Sequence, residues 1–392
     1  MNKQRLDKLL EKAVSESEVP GVVAAVANKE GVIYEGVFGN RSIDSNESMT
    51  SESVFWIASM TKAITSVAAM QLVEQGKLNL DQPLNKVLPK LNEIKVMEGT
   101  DDAGQPILRE PNKPITLRGL LTHTAGFTNI FSNENTAKYA QAKGLDMRNG
   151  QNESIMTPLA FDPGEKWEYG INTDWVGKTI EAVSGQNLRD YFKANIFTPL
   201  SMKDTEFVIQ PEMRSRLVGM HARGEEGKLI EIPFEMPQEP EFYMGAGGLY
   251  STAIDYMKFL QMIFHGGTFN GKRILESETV KEMCENQIGD LNVLPLTSID
   301  PTLGNEYEAF PGMVKKWGLG FLITTEDAPS GRKSGSLSWA GLANTFFWID
   351  PDSEIMGVIM TQVLPFADQK ILNLSEEFET EVYEQITEKI KR

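Results

Sequence analysis

Three short segments of the chain carry residues of the types that make and break acyl bonds. The first is Ser59-Met60-Thr61-Lys62, at the start of a helix expected over residues 59–75 and stopped by Gly76. A spacing of three puts the Ser59 hydroxyl and the Lys62 amine on one helix face, one turn apart. Ala58 and Ser66 stand four residues to either side of Lys62, so no carboxylate at that spacing holds its charge. Ala63, Ile64, Val67, Ala68, Ala69, Met70, Leu72 and Val73 cover nearly the whole circumference, which places this helix at the centre of the molecule. Burial there disfavours a charged lysine, and a neutral amine beside a serine is a base that activates a nucleophile. The helix start adds free N–H groups and a positive dipole end for a developing oxyanion. The plain alternative is a chance S-x-x-K whose lysine reaches solvent.

The second segment is Asp162-Pro163-Gly164-Glu165-Lys166-Trp167-Glu168-Tyr169-Gly170-Ile171-Asn172, a loop before a helix that starts near Asn172 or Thr173. A phenol facing an ammonium group relays protons, although most buried tyrosines are hydrogen-bonded core residues. The third is Ser338-Trp339-Ala340-Gly341-Leu342, between two late strands. Its small residues let a substrate approach the backbone, where a strand N–H serves as an oxyanion donor; a hairpin turn is the simpler reading.

The positioning elements are legible from periodicity. Residues 1–17 form an amphipathic helix with Leu6, Leu9, Leu10 and Ala13 inward. GVVAAVANKEGVIYEGVFG reads as two strands around the turn Asn28-Lys29-Glu30-Gly31. A polar loop is expected over residues 92–114, then helices with loops to about residue 230. Strands are expected over 317–325, 333–339, 342–349 and 354–361, with a turn at Asp350-Pro351-Asp352-Ser353. A closing helix over 375–391 carries Phe378, Val382, Ile386 and Ile390 inward. Strands at both ends with helices between them give an α+β fold. One antiparallel sheet, built from both termini and flanked by helices, receives an inserted, mainly helical domain. The sheet domain is expected to comprise residues 1–85 and 235–392, and the helical domain 86–234.

Composition narrows the function. The 392 residues include 38 basic and 55 acidic ones, a net charge of −17 that argues against nucleic acid or an anionic membrane as partner. A single cysteine, Cys284, and three dispersed histidines, His123, His221 and His265, leave no metal-ligand spacing, and no cofactor is expected. The longest wholly apolar run in the first hundred residues covers only 22–27, and the charged amino-terminal segment lacks the apolar core of a signal peptide; a soluble cytoplasmic protein is expected. No G-x-S-x-G is present, which disfavours a Ser-His-Asp hydrolase of the nucleophile-elbow type. His123 is read as fixing loop hydrogen bonds. Gly245-Ala246-Gly247-Gly248 lacks the third glycine of a dinucleotide loop, where Tyr250 stands. The eighteen methionines are mostly core filler, with Met60 and Met244 expected at the pocket.

In order and separation, the three segments resemble the penicillin-recognising serine hydrolases: class C β-lactamases, D-alanyl-D-alanine peptidases and family VIII carboxylesterases. That family carries S-x-x-K, a Y-x-N tyrosine motif and a K-T-G strand triplet, matched by Ser59–Lys62, Tyr169 and Trp339-Ala340-Gly341. Leu120-Leu121-Thr122-His123-Thr124-Ala125-Gly126, Gly245-Ala246-Gly247-Gly248-Leu249-Tyr250-Ser251-Thr252-Ala253 and Phe347-Trp348-Ile349-Asp350-Pro351 match as well. Met97-Glu98-Gly99-Thr100-Asp101-Asp102-Ala103-Gly104 and residues 167–174 are most similar to the fungal acyltransferases that esterify statin precursors. The chain departs twice: Ile171 replaces the asparagine of Y-x-N, with Asn172 directly after it, and Trp339 replaces the lysine of K-T-G.

The resemblance implies a β-lactamase/transpeptidase-like fold and a two-step acyl transfer. Ser59 would be the nucleophile, Lys62 coupled to Tyr169 the base, and the backbone N–H groups of Ser59 and Leu342 the oxyanion hole. Trp339, Ala340, Gly341, Asn172, Met60 and Met244 would bind substrate. Losing the lysine points to short neutral esters, with water or an alcohol as acceptor. β-Lactamase or D-alanyl-D-alanine peptidase activity, and a catalytically silent binding protein of the same fold, are the alternatives.

Overall fold

In the computed structural model, which describes residues 1–146 and 148–390, helix α1 (Lys3–Ser15) turns Leu6, Leu10 and Ala13 inward. Strands β1 (Gly21–Asn28) and β2 (Gly31–Gly39) pair antiparallel across the expected turn. β1 is an uninterrupted apolar run because both its faces are covered. Val22, Ala24 and Val26 pack with α1 and the closing helix, while Val23, Ala25 and Ala27 face the main core. Helix α2 (Thr61–Glu74) follows, and every residue from Thr61 to Leu72 is buried, so its all-round apolar surface has the central place expected for it.

The stretch expected as a polar loop over 92–114 instead holds a hairpin, β3 (Val96–Thr100) and β4 (Pro106–Arg109). The Asp101 carboxylate makes this turn by accepting the N–H groups of Ala103 and Gln105, at 2.9 and 2.8 Å. That local bonding outweighs the weak strand character of the flanks. Helices α3 (Glu134–Lys143) and α4 (Asn172–Ser184) come next, and α4 packs against α2. The region read as helical to about residue 230 ends in two short paired strands, Met220–Arg223 and Leu229–Ile232. Helix α5 (Ala253–Phe264) lies against β1 from the α2 side.

Late in the chain, 317–325 is a hairpin of β5 (Lys315–Trp317) and β6 (Leu322–Thr324), not the single strand expected. The backbone folds back at Gly318-Leu319-Gly320, where Gly320 adopts φ +105°. β7 (Leu337–Gly341), β8 (Thr345–Asp350) and β9 (Ile355–Met360) complete the sheet. Its order is β5-β6-β7-β8-β9-β1-β2, antiparallel throughout, with strands from both ends meeting where β9 pairs with β1. The closing helix α6 (Gln369–Ile390) starts six residues before the expected Ser375 and buries Phe378 and Val382 beside α1. Lys391 and the Ile390 side chain lie outside the described residues. Among the described residues, no helix is long and apolar enough to cross a membrane.

Candidate active site

Ser59 sits in a strained turn. Buried Ala58 before it adopts φ +43°, and residues Ala58–Met60 form one 3-10 turn that runs into α2. A non-glycine residue in this region costs about 1–3 kcal/mol, which the surroundings must offset. The turn is pinned on both sides. The Ile57 N–H donates to the Leu249 carbonyl at 3.0 Å, and the Tyr256 hydroxyl donates to the Met60 carbonyl at 2.9 Å. The end of β7 runs against this turn. A Cβ at Gly341 would collide with the Ile57 carbonyl oxygen and the Thr345 hydroxyl, so glycine lets the strand approach and brings Leu342 to the same cavity as Ser59.

Lys62 occupies the first turn of α2 and is 4% exposed. Its Nζ donates to Ser59 Oγ at 3.1 Å and to the Ala246 carbonyl at 2.7 Å. It also lies over the Tyr169 ring, 4.6 Å from the centroid. The Tyr169 hydroxyl accepts the Trp339 indole N–H at 3.2 Å, and Trp339 stacks edge-on against Trp317 at 4.6 Å. Lys62 Nζ therefore meets the face of the phenol ring, while the hydroxyl is held by the tryptophan.

The tyrosine loop is sewn to the loop around His123. The Glu168 N–H donates to the His123 carbonyl at 3.0 Å, and the His123 and Tyr169 rings lie 4.8 Å apart. At Gly170 a Cβ would collide with the Phe127 carbonyl, so only glycine permits this packing. The Asn172 amide donates to His123 Nδ1 at 3.1 Å and to the Phe127 carbonyl at 2.9 Å, which leaves the imidazole proton on Nε2. Burial, reinforced by the Lys62 charge, pushes the His123 pKa well below its usual value, so the ring is neutral.

Ser59, Lys62 and Tyr169 open onto one cavity of about 570 Å³. Trp56, Ile130, Phe131, Phe234, Met244 and Leu296 are among the apolar residues that line it. Two cations besides Lys62 line this cavity, Lys166, paired with Glu168 at 2.7 Å, and Arg148, paired with Asp146 at 3.3 Å. Arg332 is buried and paired with Glu379 on α6, and Lys333 is paired with Asp327 at 2.6 Å; neither lines the cavity.

Residues 6–377 match the family model described as beta-lactamase. The chain belongs to the beta-lactamase family. Within it, the chain is 31% identical to the ML-236A carboxylate methylbutanoyltransferase of Penicillium citrinum, over 97% of this chain and 94% of that one. It is 29% identical to the lovastatin esterase of Penicillium rubens, over 96% of this chain and 98% of that one. Its structure is similar to that of unliganded simvastatin synthase from Aspergillus terreus, with a TM-score of 0.84 and 28% identity over 97% of this chain and 98% of the other. This is a β-lactamase/transpeptidase-like fold, and the chain is an enzyme of the serine hydrolase/acyltransferase type.

Seen in a beta-lactamase-family chain, the sequence motifs converge in large part. Ser59, Lys62, Tyr169, Trp339, Ala340, Gly341, Leu342 and Met244 all line the cavity. Two residues expected there do not. Met60 is fully buried in the main core, because its place in the strained turn directs its side chain away from Ser59. Asn172 is fully buried too, its amide spent on His123 and Phe127. Sequence reasoning also missed Asp174, a buried carboxylate on the cavity wall whose pKa burial raises to about 6, against the opposing pull of the Ala246 N–H and the Lys62 charge. The available signal was an acid in the first turn of an otherwise apolar helix segment, two residues beyond Asn172.

Proposed function

We propose that the chain is a carboxylesterase that takes short neutral esters through an acyl-enzyme on Ser59 and passes the acyl group to water or to an alcohol. The observation that carries this reading is the contact of Lys62 Nζ with Ser59 Oγ at 3.1 Å, in an apolar cavity where Trp339 stands in place of a lysine. Relatives named as an esterase and as an acyltransferase support both fates of the acyl group.

In the first half-reaction Ser59 Oγ bonds to the ester carbonyl carbon while its proton passes to unprotonated Lys62. The backbone N–H groups of Ser59 and Leu342 receive the oxyanion. The carbon–oxygen bond to the alcohol then breaks, and the leaving oxygen takes a proton from Tyr169, which Lys62 replenishes. Water or a second alcohol reverses these steps and frees Ser59. Ala340 and Gly341 flank the reacting carbonyl, and Trp339 and Met244 contact the apolar parts of the substrate. The test is a panel of esters of varied acyl length, with and without a competing alcohol. Turnover of short aryl esters, with label on Ser59 from a fluorophosphonate, is expected; absence of both would favour a silent binding protein.

A further inference from the structure

Asp174 is a carboxylate on the cavity wall to which the proton relay above gives no task. It stands in the first turn of α4 and is 1% exposed. Its Oδ1 accepts the Ala246 N–H at 2.9 Å, and the carbonyl of the same residue accepts Lys62 Nζ at 2.7 Å. Neighbouring groups clamp the strip on both sides. The Thr65 hydroxyl donates to the Gly245 carbonyl at 2.7 Å, and the Trp56 indole donates to the Gly247 carbonyl at 2.7 Å. In this strip of backbone, Asp174 is the charged member of the clamp.

We propose that Asp174 is the positioning residue for Lys62, holding Ala246 so that its carbonyl anchors the amine and placing a buried negative charge near the ammonium formed during acyl transfer. The inference rests on the reading of Ser59 and Lys62 as nucleophile and base. A neutral amine has two hydrogens and one lone pair. With one hydrogen on the Ala246 carbonyl, the lone pair is free to face Ser59. When the Ser59 O–H bond breaks and Oγ bonds to carbon, the proton completes an ammonium whose charge Asp174 offsets. The Asp174 carboxyl, with a pKa of about 6, is ionised above that pH. Lys62 on α2 is the cation that acts on it, Tyr169 lines the same cavity, and neutral His123 is bonded to Asn172 on the same helix.

The experiment follows the rate of fluorophosphonate labelling of Ser59 against pH in the full chain, for wild type, Asp174→Asn and Asp174→Ala. Asparagine keeps an acceptor for Ala246 but no charge, so the ammonium is less favoured and the midpoint should move to lower pH by about one unit. Alanine also loses the anchor, and the plateau rate should fall about tenfold or more. Profiles of both variants that superimpose on wild type overturn the proposal. If Asp174→Ala does not fold, the Asn variant decides alone, and an unshifted midpoint overturns it. A Ser59→Ala control separates the two readings: label that persists there defeats the acyl-enzyme on Ser59, whereas its loss beside an unshifted Asn profile defeats only the role of Asp174.

Discussion

The Trp339 indole N–H donates to the Tyr169 hydroxyl at 3.2 Å. An indole donates but does not accept, so the phenol's own proton must point elsewhere, and the cavity is where it is useful. Trp339→Phe keeps an apolar ring and removes the donor. Its kcat for a short aryl ester should fall about tenfold, the size of one hydrogen bond, with KM nearly unchanged. Equal kcat values would show that the contact is incidental.

Trp339 also bears on substrate charge. A penicillin or cephalosporin carries a carboxylate, and where resembling β-lactamases offer a strand lysine this chain has Trp339, while Lys166 on the cavity wall is already paired with Glu168. One missing charge-assisted hydrogen bond costs about 1.5–3 kcal/mol, roughly ten- to a hundredfold. A chromogenic cephalosporin should therefore have a much lower kcat/KM than a short aryl ester, and Trp339→Lys should shift the ratio towards the lactam. Equal turnover of both substrates by wild type would replace the esterase reading with a β-lactamase one.

Ser59→Ala should abolish ester turnover without unfolding the chain, since alanine suits a helix start buried at the molecule's centre. Lys62→Ala should be nearly as damaging, and Tyr169→Phe should cost orders of magnitude by removing one oxygen from the relay. Circular dichroism alongside initial rates checks these variants, and undiminished turnover by Ser59→Ala would sink the mechanism.

The pH profile of kcat/KM should rise from neutral to mildly alkaline pH, because attack on the ester requires the relay without its extra proton. His123, pushed well below its usual value, and Asp174, at about 6, titrate below that window. A maximum at acid pH with the fold intact would contradict the assignment.

Asp174 has an opposite signature in stability. Its folded pKa of about 6 stands above the ordinary 3.8, so the folded state binds the proton more tightly than the unfolded one. Its contribution is greatest below pH 4 and is lost as pH rises through 6, a swing on the order of 2–3 kcal/mol. Asp174→Asn should be more stable than wild type at pH 8, and the gain should shrink towards pH 4. Urea midpoints across that range are the measurement, and a constant difference would refute the charge argument.

The legible parts of this molecule are those fixed by neighbours in the chain. Ser59 and Lys62 share a helix turn, so their contact follows from spacing, and the alternating faces of β1 follow from period two. The β3–β4 hairpin escaped because the Asp101 turn, rather than an apolar pattern, makes it. The side chains of Met60 and Asn172 escaped because one strained turn and one helix start aim them into the core, which only tertiary packing decides. Asp174 escaped for the same reason: its meaning comes from Ala246, seventy-two residues away.

The pairing of β1 with β9 also orders events during synthesis. A nascent chain that has emerged only as far as Asp300 already holds Ser59, Lys62 and Tyr169, and β2 beside β1, but it has neither β7 nor β9, the second partner of β1. Until those late strands arrive, β1 offers one unpaired apolar edge, and closing so long a loop is slow. The proposed acyl transfer thus waits on β7, which is translated long after Ser59, Lys62 and Tyr169.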